Sequence, residues 1–219
     1  MRIINRIIRS YRPRRVLELA PGPARLSTEV IGFETGCLCD INIEMLAVAR
    51  TRVMHATRTG QRLRNDGKWH IATGDALSLP FNRTFDLVYT FRFIRHFEHP
   101  IRATVYHQIH SLLKPGGIFV FDAVNAHISR PLRATDGEAQ YPIYDELYER
   151  DTLVAEMTRH GFHVLSLLPV MRHASLQRSI QIHLGSRSYR IAKYLIQWCE
   201  YLPGPPLEWV VVCQKPRAV

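Results

Sequence analysis

Arg15-Val16-Leu17-Glu18-Leu19-Ala20-Pro21-Gly22-Pro23-Ala24-Arg25-Leu26-Ser27 decides the fold. Val16 to Leu19 is a short apolar run carrying one acid, which predicts a strand. Ala20 to Ala24 holds only small residues and prolines, which predicts a tight turn. Arg25 to Phe33 follows with amphipathic spacing, which predicts a helix. A strand, a small-residue turn and a helix N-terminus let a ligand approach bare backbone, with the helix amides and their positive potential facing it.

Outward from this unit the alternation repeats. Thr35–Asp40 reads as a second strand ending in an acid. Asn42 caps a helix from about Ile43 to Thr57, with Met45, Leu46, Val48, Ala49 and Val53 on its inner side. Arg58 to Lys68 reads as a basic surface connection. Trp69–Thr73 is a third strand, Gly74–Phe81 a loop and Phe85–Thr90 a fourth strand. Phe91–His99 is a loop or short helix, and Ile101–Leu113 is a helix. Lys114-Pro115-Gly116-Gly117 stops it, and Ile118–Phe121 is a fifth strand ending at Asp122. Repeated strand–helix alternation predicts a parallel sheet covered on both faces. Later come a helix at Asp151–His160, a strand at Phe162–Leu168, a helix at Ser188–Tyr201 and a last strand at Leu207–Cys213.

The chain of 219 residues fits one domain, 1–219, with lid insertions at about 124–149 and 169–206. Ile3, Ile4, Ile7 and Ile8 sit at helical spacing and predict a short helix packed on the core, ended by Pro13. Tyr11, just before the first strand, is placed to overhang the ligand site. The basic start lacks the continuous apolar core and small-residue cleavage site of a secretory signal. No apolar run has the length of a membrane helix. Cys37 and Cys39 alternate onto one face of the second strand, where thiols act as small hydrophobes, and neither they nor the scattered histidines have metal-ligand spacing. A reduced, cytoplasmic compartment is expected. The net charge of +10, with six arginines in the first fifteen residues, admits a nucleic-acid, anionic-membrane or anionic small-molecule partner, or simply a solvated arginine-rich surface. No aromatic-basic nucleic-acid motif accompanies it, which favours the solvated surface.

Acids stand at several strand ends: Glu18, Asp40 and Asp75. In open parallel sheets, ligands bind outside the carboxyl ends of the strands. An acid after the second strand can accept two hydrogen bonds from ribose hydroxyls. An Asp after the third can meet an adenine amino group.

In this context the chain resembles the class I S-adenosylmethionine-dependent methyltransferases, especially the small type 11 group. The resemblance rests on V-L-E-L-A-P-G-P-A (16–24), L-C-D-I-N-I-E-M-L-A-V-A-R (38–50), G-D-A-L-S-L-P-F (74–81), F-D-L-V-Y-T (85–90) and L-L-K-P-G-G-I-F-V-F-D (112–122), in this order. It implies a Rossmann-like, doubly wound α/β fold with a seven-stranded sheet of order 3-2-1-4-5-7-6, the last strand antiparallel. It implies S-adenosyl-L-methionine as cofactor and S-adenosyl-L-homocysteine as product. By the same resemblance Glu18, Ala20, Gly22 and Pro23 would hold the methionine part and Asp40 the ribose. Ile41 and Met45 would flank the adenine, Asp75 and Ala76 its edge, and Thr90 and Phe91 the methyl-donor side. The first turn departs from the family's glycine pattern, keeping only Gly22. A nicotinamide dinucleotide would need G-x-G-x-x-G, which this turn lacks.

Methyl transfer needs alignment of the acceptor, exclusion of water and, for hydroxyl acceptors, removal of a proton. His96, directly after the fourth strand, is either that base or a packing residue. Arg92 and Arg95 either hold an anionic substrate group or pair with Glu98 or the acids of the lid. Tyr141, Tyr144 and Tyr148 either wall the acceptor site or pack the lid. The expected acceptor is a small molecule methylated at oxygen or nitrogen, since no appended RNA-binding module is visible. The alternative is an RNA-modifying enzyme using the basic N-terminal segment. Oligomeric state is left open.

Overall fold

The computed structural model describes residues 2–58, 67–82 and 85–217. The first half comprises α1 (Arg2–Tyr11), β1 (Arg15–Leu19), β2 (Thr35–Asp40), α2 (Ile43–Arg58), β3 (Lys68–Thr73), β4 (Phe85–Tyr89) and α3 (His99–Leu112). The second comprises β5 (Leu113–Asn125), α4 (Ala126–Asp136), β6 (Leu147–Tyr148), α5 (Arg150–Arg159), β7 (His163–Arg172), α6 (Ala174–Leu184), α7 (Tyr189–Cys199) and β8 (Pro206–Gln214). The sheet order is β3-β2-β1-β4-β5-β8-β7, with β6 paired to the end of β5. β1 to β5 are parallel, and β8 is antiparallel to β5 and β7. With the two-residue β6 set aside, this is the order the resemblance implies.

Register decides the two faces. Glu18 lies beside Leu38 on β2 and Tyr89 on β4, so all three share a face. On that face α1 buries Ile4, Ile7 and Ile8 against Val30, Phe33 and Leu87, at roughly 1.5–3 kcal/mol per side chain. The opposite face carries Leu17, Leu19 and Phe119, covered by Val105, Tyr106 and Ile109 of α3 and Leu153 and Met157 of α5. Tyr11 does not overhang the ligand side. It stands four residues before Arg15, the start of β1, and so lies toward the amino-terminal edge of the sheet.

Asn42 caps α2, its Oδ1 accepting from the Met45 amide at 3.0 Å. Leu46, Ala49 and Val53 are buried, whereas Met45 and Val48 are exposed. The buried three recur at i, i+3 and i+7, and Met45 and Val48 each sit one residue earlier, about 100° off that stripe. The connection after α2 lies largely outside the described residues.

The helix expected at 25–33 does not form. Residues 22–26 are a turn, and only Ser27–Glu29 make a single 3-10 turn before Val30 leaves as extended chain. The chain enters through Ala24 at φ +53° and meets Gly32 at φ +89°, which leaves too few residues for a stable α-helix. Val30 and Phe33 pack beneath α1 instead. β5 is longer than expected at both ends. It takes in Lys114-Pro115-Gly116-Gly117, where the register with β4 shifts, and runs on to Asn125. The segment 124–149 is ordered as α4 and β6, and 169–206 as the end of β7 and the α6–α7 hairpin.

Candidate active site

The turn after β1 keeps the geometry of a three-glycine loop without three glycines. Ala20, Gly22 and Ala24 all have positive φ, at +53°, +51° and +53°. Left-handed backbone costs an L-residue roughly 1–2 kcal/mol, so two alanines hold a strained path here. A Cβ built on Gly22 meets nothing within 4 Å. The turn therefore presents bare backbone to open space. Asp40 braces it: Oδ2 accepts from the Gly22 amide at 3.2 Å and Oδ1 from the Asn42 amide at 3.0 Å. Ile41 and Met45 are exposed beside it.

Glu18 lies beneath the turn rather than at its surface. It is buried, and Oε2 accepts from Ser27 Oγ at 2.5 Å and Tyr89 Oη at 2.7 Å. These bonds fasten the 3-10 turn to β4. Burial pushes its carboxyl up to about 7, against the two hydrogen bonds, which lower it. A raised carboxyl holds its proton in the folded state after the unfolded chain has lost it. Stability should therefore fall as pH rises from about 4.5 to about 7, by roughly 3 kcal/mol, and then level. Urea titrations of the wild type and Glu18→Gln across this window check it. The variant should lose that slope, and identical slopes would refute the assignment.

On the β3 side, Asp75 Oδ1 accepts from the Leu77 amide at 2.9 Å, and Ala76 is buried. Asp75 is exposed, at the same edge as Asp40. After β4, Thr90 is fully buried and its Oγ1 has no hydrogen-bond partner among the described residues. Phe91 is half-buried and packs near Tyr89, with ring centroids 6.0 Å apart.

Phe91 also lines a cleft of about 260 Å³ under α1. Ile3 and Ile4 roof it, Leu26 closes it toward the β1 turn, and Val170, Trp209 and Val210 wall the far side. Arg92, Asp122 and Glu208 are its polar groups. It lies at the carboxyl ends of β4 and β5, where β8 returns alongside: Asp122 pairs with Val210, and Val124 with Glu208. A wider groove of about 810 Å³ lies between Thr28–Glu29 and α2, off the strand ends, where no α-helix follows β1.

Arg95 faces the protein's own acids. It is buried, with Nη1 2.7 Å from Glu208 Oε1 and 3.2 Å from Asp122 Oδ2, and Nε 3.1 Å from Asp145 Oδ1. The expected anion-binding role therefore does not fit it. Its partners include an acid of the 124–149 segment, Asp145, but not Glu98. Arg92 is exposed, and its amide donates to Asp122 Oδ1 at 2.6 Å. Burial raises the Asp122 pKa, while Arg95 and the Arg92 amide oppose the shift.

His96 is partly exposed. Its Nδ1 lies 2.9 Å from the Tyr144 carbonyl oxygen and 3.1 Å from Asp145 Oδ1. A carbonyl only accepts, so Nδ1 carries a hydrogen. The three tyrosines do not form one wall. Tyr148 is in the core, its hydroxyl 3.3 Å from that of Tyr106. Tyr141 donates to Asp136 under the Arg133 guanidinium, and Tyr144 donates to Glu146. Sequence reasoning missed Ile3, Ile4, Glu208 and Trp209. The first two carried only the signature of a packed helix. The last two reach the cleft through the antiparallel return of β8, which leaves no local signal.

Residues 16–117 match a family model described as a methyltransferase domain. No curated protein matches the chain. Among solved structures it is similar to an S-adenosylmethionine-dependent methyltransferase of Methanosarcina mazei, at 17% identity and TM-score 0.66, covering 97% of this chain and 98% of that one. It is similar to an O-methyltransferase family protein of Burkholderia thailandensis, at 14% identity and TM-score 0.66, covering 100% of this chain and 55% of that one. It is also similar to the N-methyltransferase NodS of Bradyrhizobium japonicum, solved with S-adenosyl-L-homocysteine, at 12% identity and TM-score 0.61, covering 96% and 82%.

Proposed function

We propose that this chain, a class I S-adenosylmethionine-dependent methyltransferase, methylates an oxygen or nitrogen of a small molecule held in the cleft under α1. The cleft carries the reading. It is largely apolar, has a few polar groups at one wall, and adjoins both the β1 turn and Phe91. The O- and N-methyltransferase names among its structural neighbours are compatible with either acceptor atom.

The residues present fit the cofactor. Ala20, Gly22 and Pro23 would cradle the methionine part on open backbone, with Glu18 Oε1 the oxygen left for it. Each Asp40 oxygen accepts one amide and keeps a lone pair for a ribose hydroxyl. Ile41 and Met45 would cover the adenine faces, and Asp75 and Ala76 its edge. Thr90 Oγ1, without a partner among the described residues, and Phe91 would line the donor side. When bound, S-adenosylmethionine supplies an electrophilic methyl group on a cationic sulfur, which the acceptor's lone pair displaces.

The chain then has two tasks. Ile3, Ile4, Leu26 and Trp209 exclude water and aim the acceptor. A carboxylate or imidazole takes the acceptor's proton. Asp122 suits this step better than His96, because Asp122 lines the cleft and His96 is not among its lining residues. Arg92 remains the group for an anionic substituent. With radiolabelled cofactor and a panel of small amines and phenols, methyl transfer is expected. Asp122→Asn should lower kcat on a hydroxyl acceptor by roughly 100-fold or more with KM little changed, and His96→Gln should cost far less. The reverse order would return the role to His96. Transfer to bulk RNA alone would replace the small-molecule reading with the RNA-modifying one.

A further inference from the structure

The α6–α7 hairpin carries an apolar face that nothing in the described chain covers. Along α7, Ala192 and Cys199 are buried, and they face inward. Ile191, Tyr194, Leu195 and Trp198 recur at i, i+3, i+4 and i+7 on an adjoining side, about 100° round the helix from the buried pair, and Tyr201 continues the stripe. Tyr194 is 78% exposed, Trp198 59% and Tyr201 76%. The contrast with α1 is direct. Both helices are amphipathic, yet Ile4, Ile7 and Ile8 of α1 are buried and the α7 stripe points outward. α6 contains no buried residue at all and adds exposed Leu176 and Ile182.

Charge selects the occupant. Between Glu156 and Glu200 the sequence has no Asp or Glu. Arg187 and Arg190 flank the stripe at its amino-terminal end, Lys193 lies on the polar side of α7 with Nζ 6.0 Å from the Tyr189 ring centroid, and no ion pair joins the three to a carboxylate among the described residues. A second copy meeting this face would set like charges together. A nucleic-acid groove would place cations across the face, whereas here its centre is Ile191, Leu195 and Trp198. Aliphatic centre, Tyr and Trp, flanking Arg and a Lys on the polar side together match a helix lying in the headgroup region of a lipid surface.

We propose that the α6–α7 hairpin docks the protein on an anionic lipid surface. Its root is fixed for that purpose. Gln177 Nε2 donates to the Arg172 carbonyl oxygen and to Glu200 Oε1, and Arg172 Nη1 donates to the Glu200 carbonyl oxygen. The hairpin joins β7 to β8, whose Val170 and Glu208–Val210 wall the cleft. Docking thus sets that wall next to the lipid.

Co-sedimentation of the full chain with vesicles tests this. Binding is expected to phosphatidylcholine–phosphatidylglycerol vesicles at low salt, and much less to phosphatidylcholine alone. Arg190→Ala and Lys193→Ala should each weaken binding about fivefold, with the loss screened by salt. Leu195→Glu/Trp198→Glu, both exposed, should weaken it about 100-fold or more with an unchanged circular dichroism spectrum. Absence of wild-type binding to the anionic vesicles, or equal binding by the double Glu variant, overturns the proposal. So does a concentration-dependent dimer, or retention on RNA, that the double Glu variant abolishes while vesicle binding is absent.

Discussion

Replacing Gly22 with valine is expected to abolish binding of S-adenosyl-L-homocysteine while leaving a folded protein. The Cβ at this position points into space with no protein atom within 4 Å, so the added isopropyl group displaces nothing native. It occupies instead the volume in front of the turn, where the ligand's methionine part must meet backbone. The φ of +51° makes any side chain strained, and for a β-branched one the folded state should lose about 2 kcal/mol. That is tolerable, since Ala20 and Ala24 already hold φ +53° with side chains in place. Calorimetry should show affinity reduced by at least about 100-fold, or about 3 kcal/mol. Gly22→Ala separates the two effects. It carries the strain with little bulk, so its stability should drop by a similar amount while binding falls by about tenfold or less. Asp40→Ala provides a second arm, because it removes the acceptor for the Gly22 amide, and the one proposed for the ribose, without filling space. Full binding by Gly22→Val would remove the turn from the site.

The turn was legible in the sequence because its constraints are local. Small residues and prolines directly after an apolar run announce a tight turn, and the left-handed φ at Ala20, Gly22 and Ala24 was seen only in the structure. The strand-end acids Asp40 and Asp75 were legible for the same reason, as was the capping of α2 by Asn42. The helix after the turn was misread because amphipathic spacing does not reveal how few residues lie between two left-handed positions, Ala24 and Gly32. The burial of Glu18 was not legible, because its surroundings come from elsewhere. Tyr89 is a neighbour only through the β1–β4 register, and Ser27 only because the helix fails to form. The proposed acceptor cleft was the least legible. Its roof comes from the first residues of the chain and its wall from β8, and no spacing rule joins residue 4 to residue 209. The α7 stripe shows the complementary limit. Its periodicity identifies a helix with an apolar face, and only the fold shows that the face points away from the core.

Arg95→Met is expected to destabilise the protein by about 3–5 kcal/mol, and more at pH 8 than at pH 5. Methionine keeps much of the side-chain length, so packing alone does not account for the loss. The cost comes from three carboxylates left in place. Asp122 loses its only side-chain cation among the described residues, Glu208 loses a partner at 2.7 Å, and Asp145 keeps Arg133 at 2.6 Å but loses the Arg95 contact. Arg95 holds the Asp122 pKa down, against the burial that raises it. Without that cation Asp122 rises further and binds its proton in the folded state to higher pH. Stability of the variant then falls as pH increases through the window between the unfolded and folded values, which fixes the sign. Arg130→Met serves as the comparison. Its bridge to Glu149 is exposed on both sides, and it should cost less than about 1 kcal/mol. Asp122→Asn on the Arg95→Met background should restore part of the loss at pH 8, because an amide in that place needs no cation. A cost near that of Arg130→Met, or no rescue, would show that the cluster is not held by charge. The same four residues link the 91–97 loop, β5, the 124–149 segment and β8, which are the parts that bound or adjoin the acceptor cleft. Loosening Arg95 should therefore raise the KM for an acceptor before it changes affinity for S-adenosyl-L-homocysteine, whose expected contacts at Gly22 and Asp40 lie in the turn after β1 and at the end of β2 and touch none of these four residues.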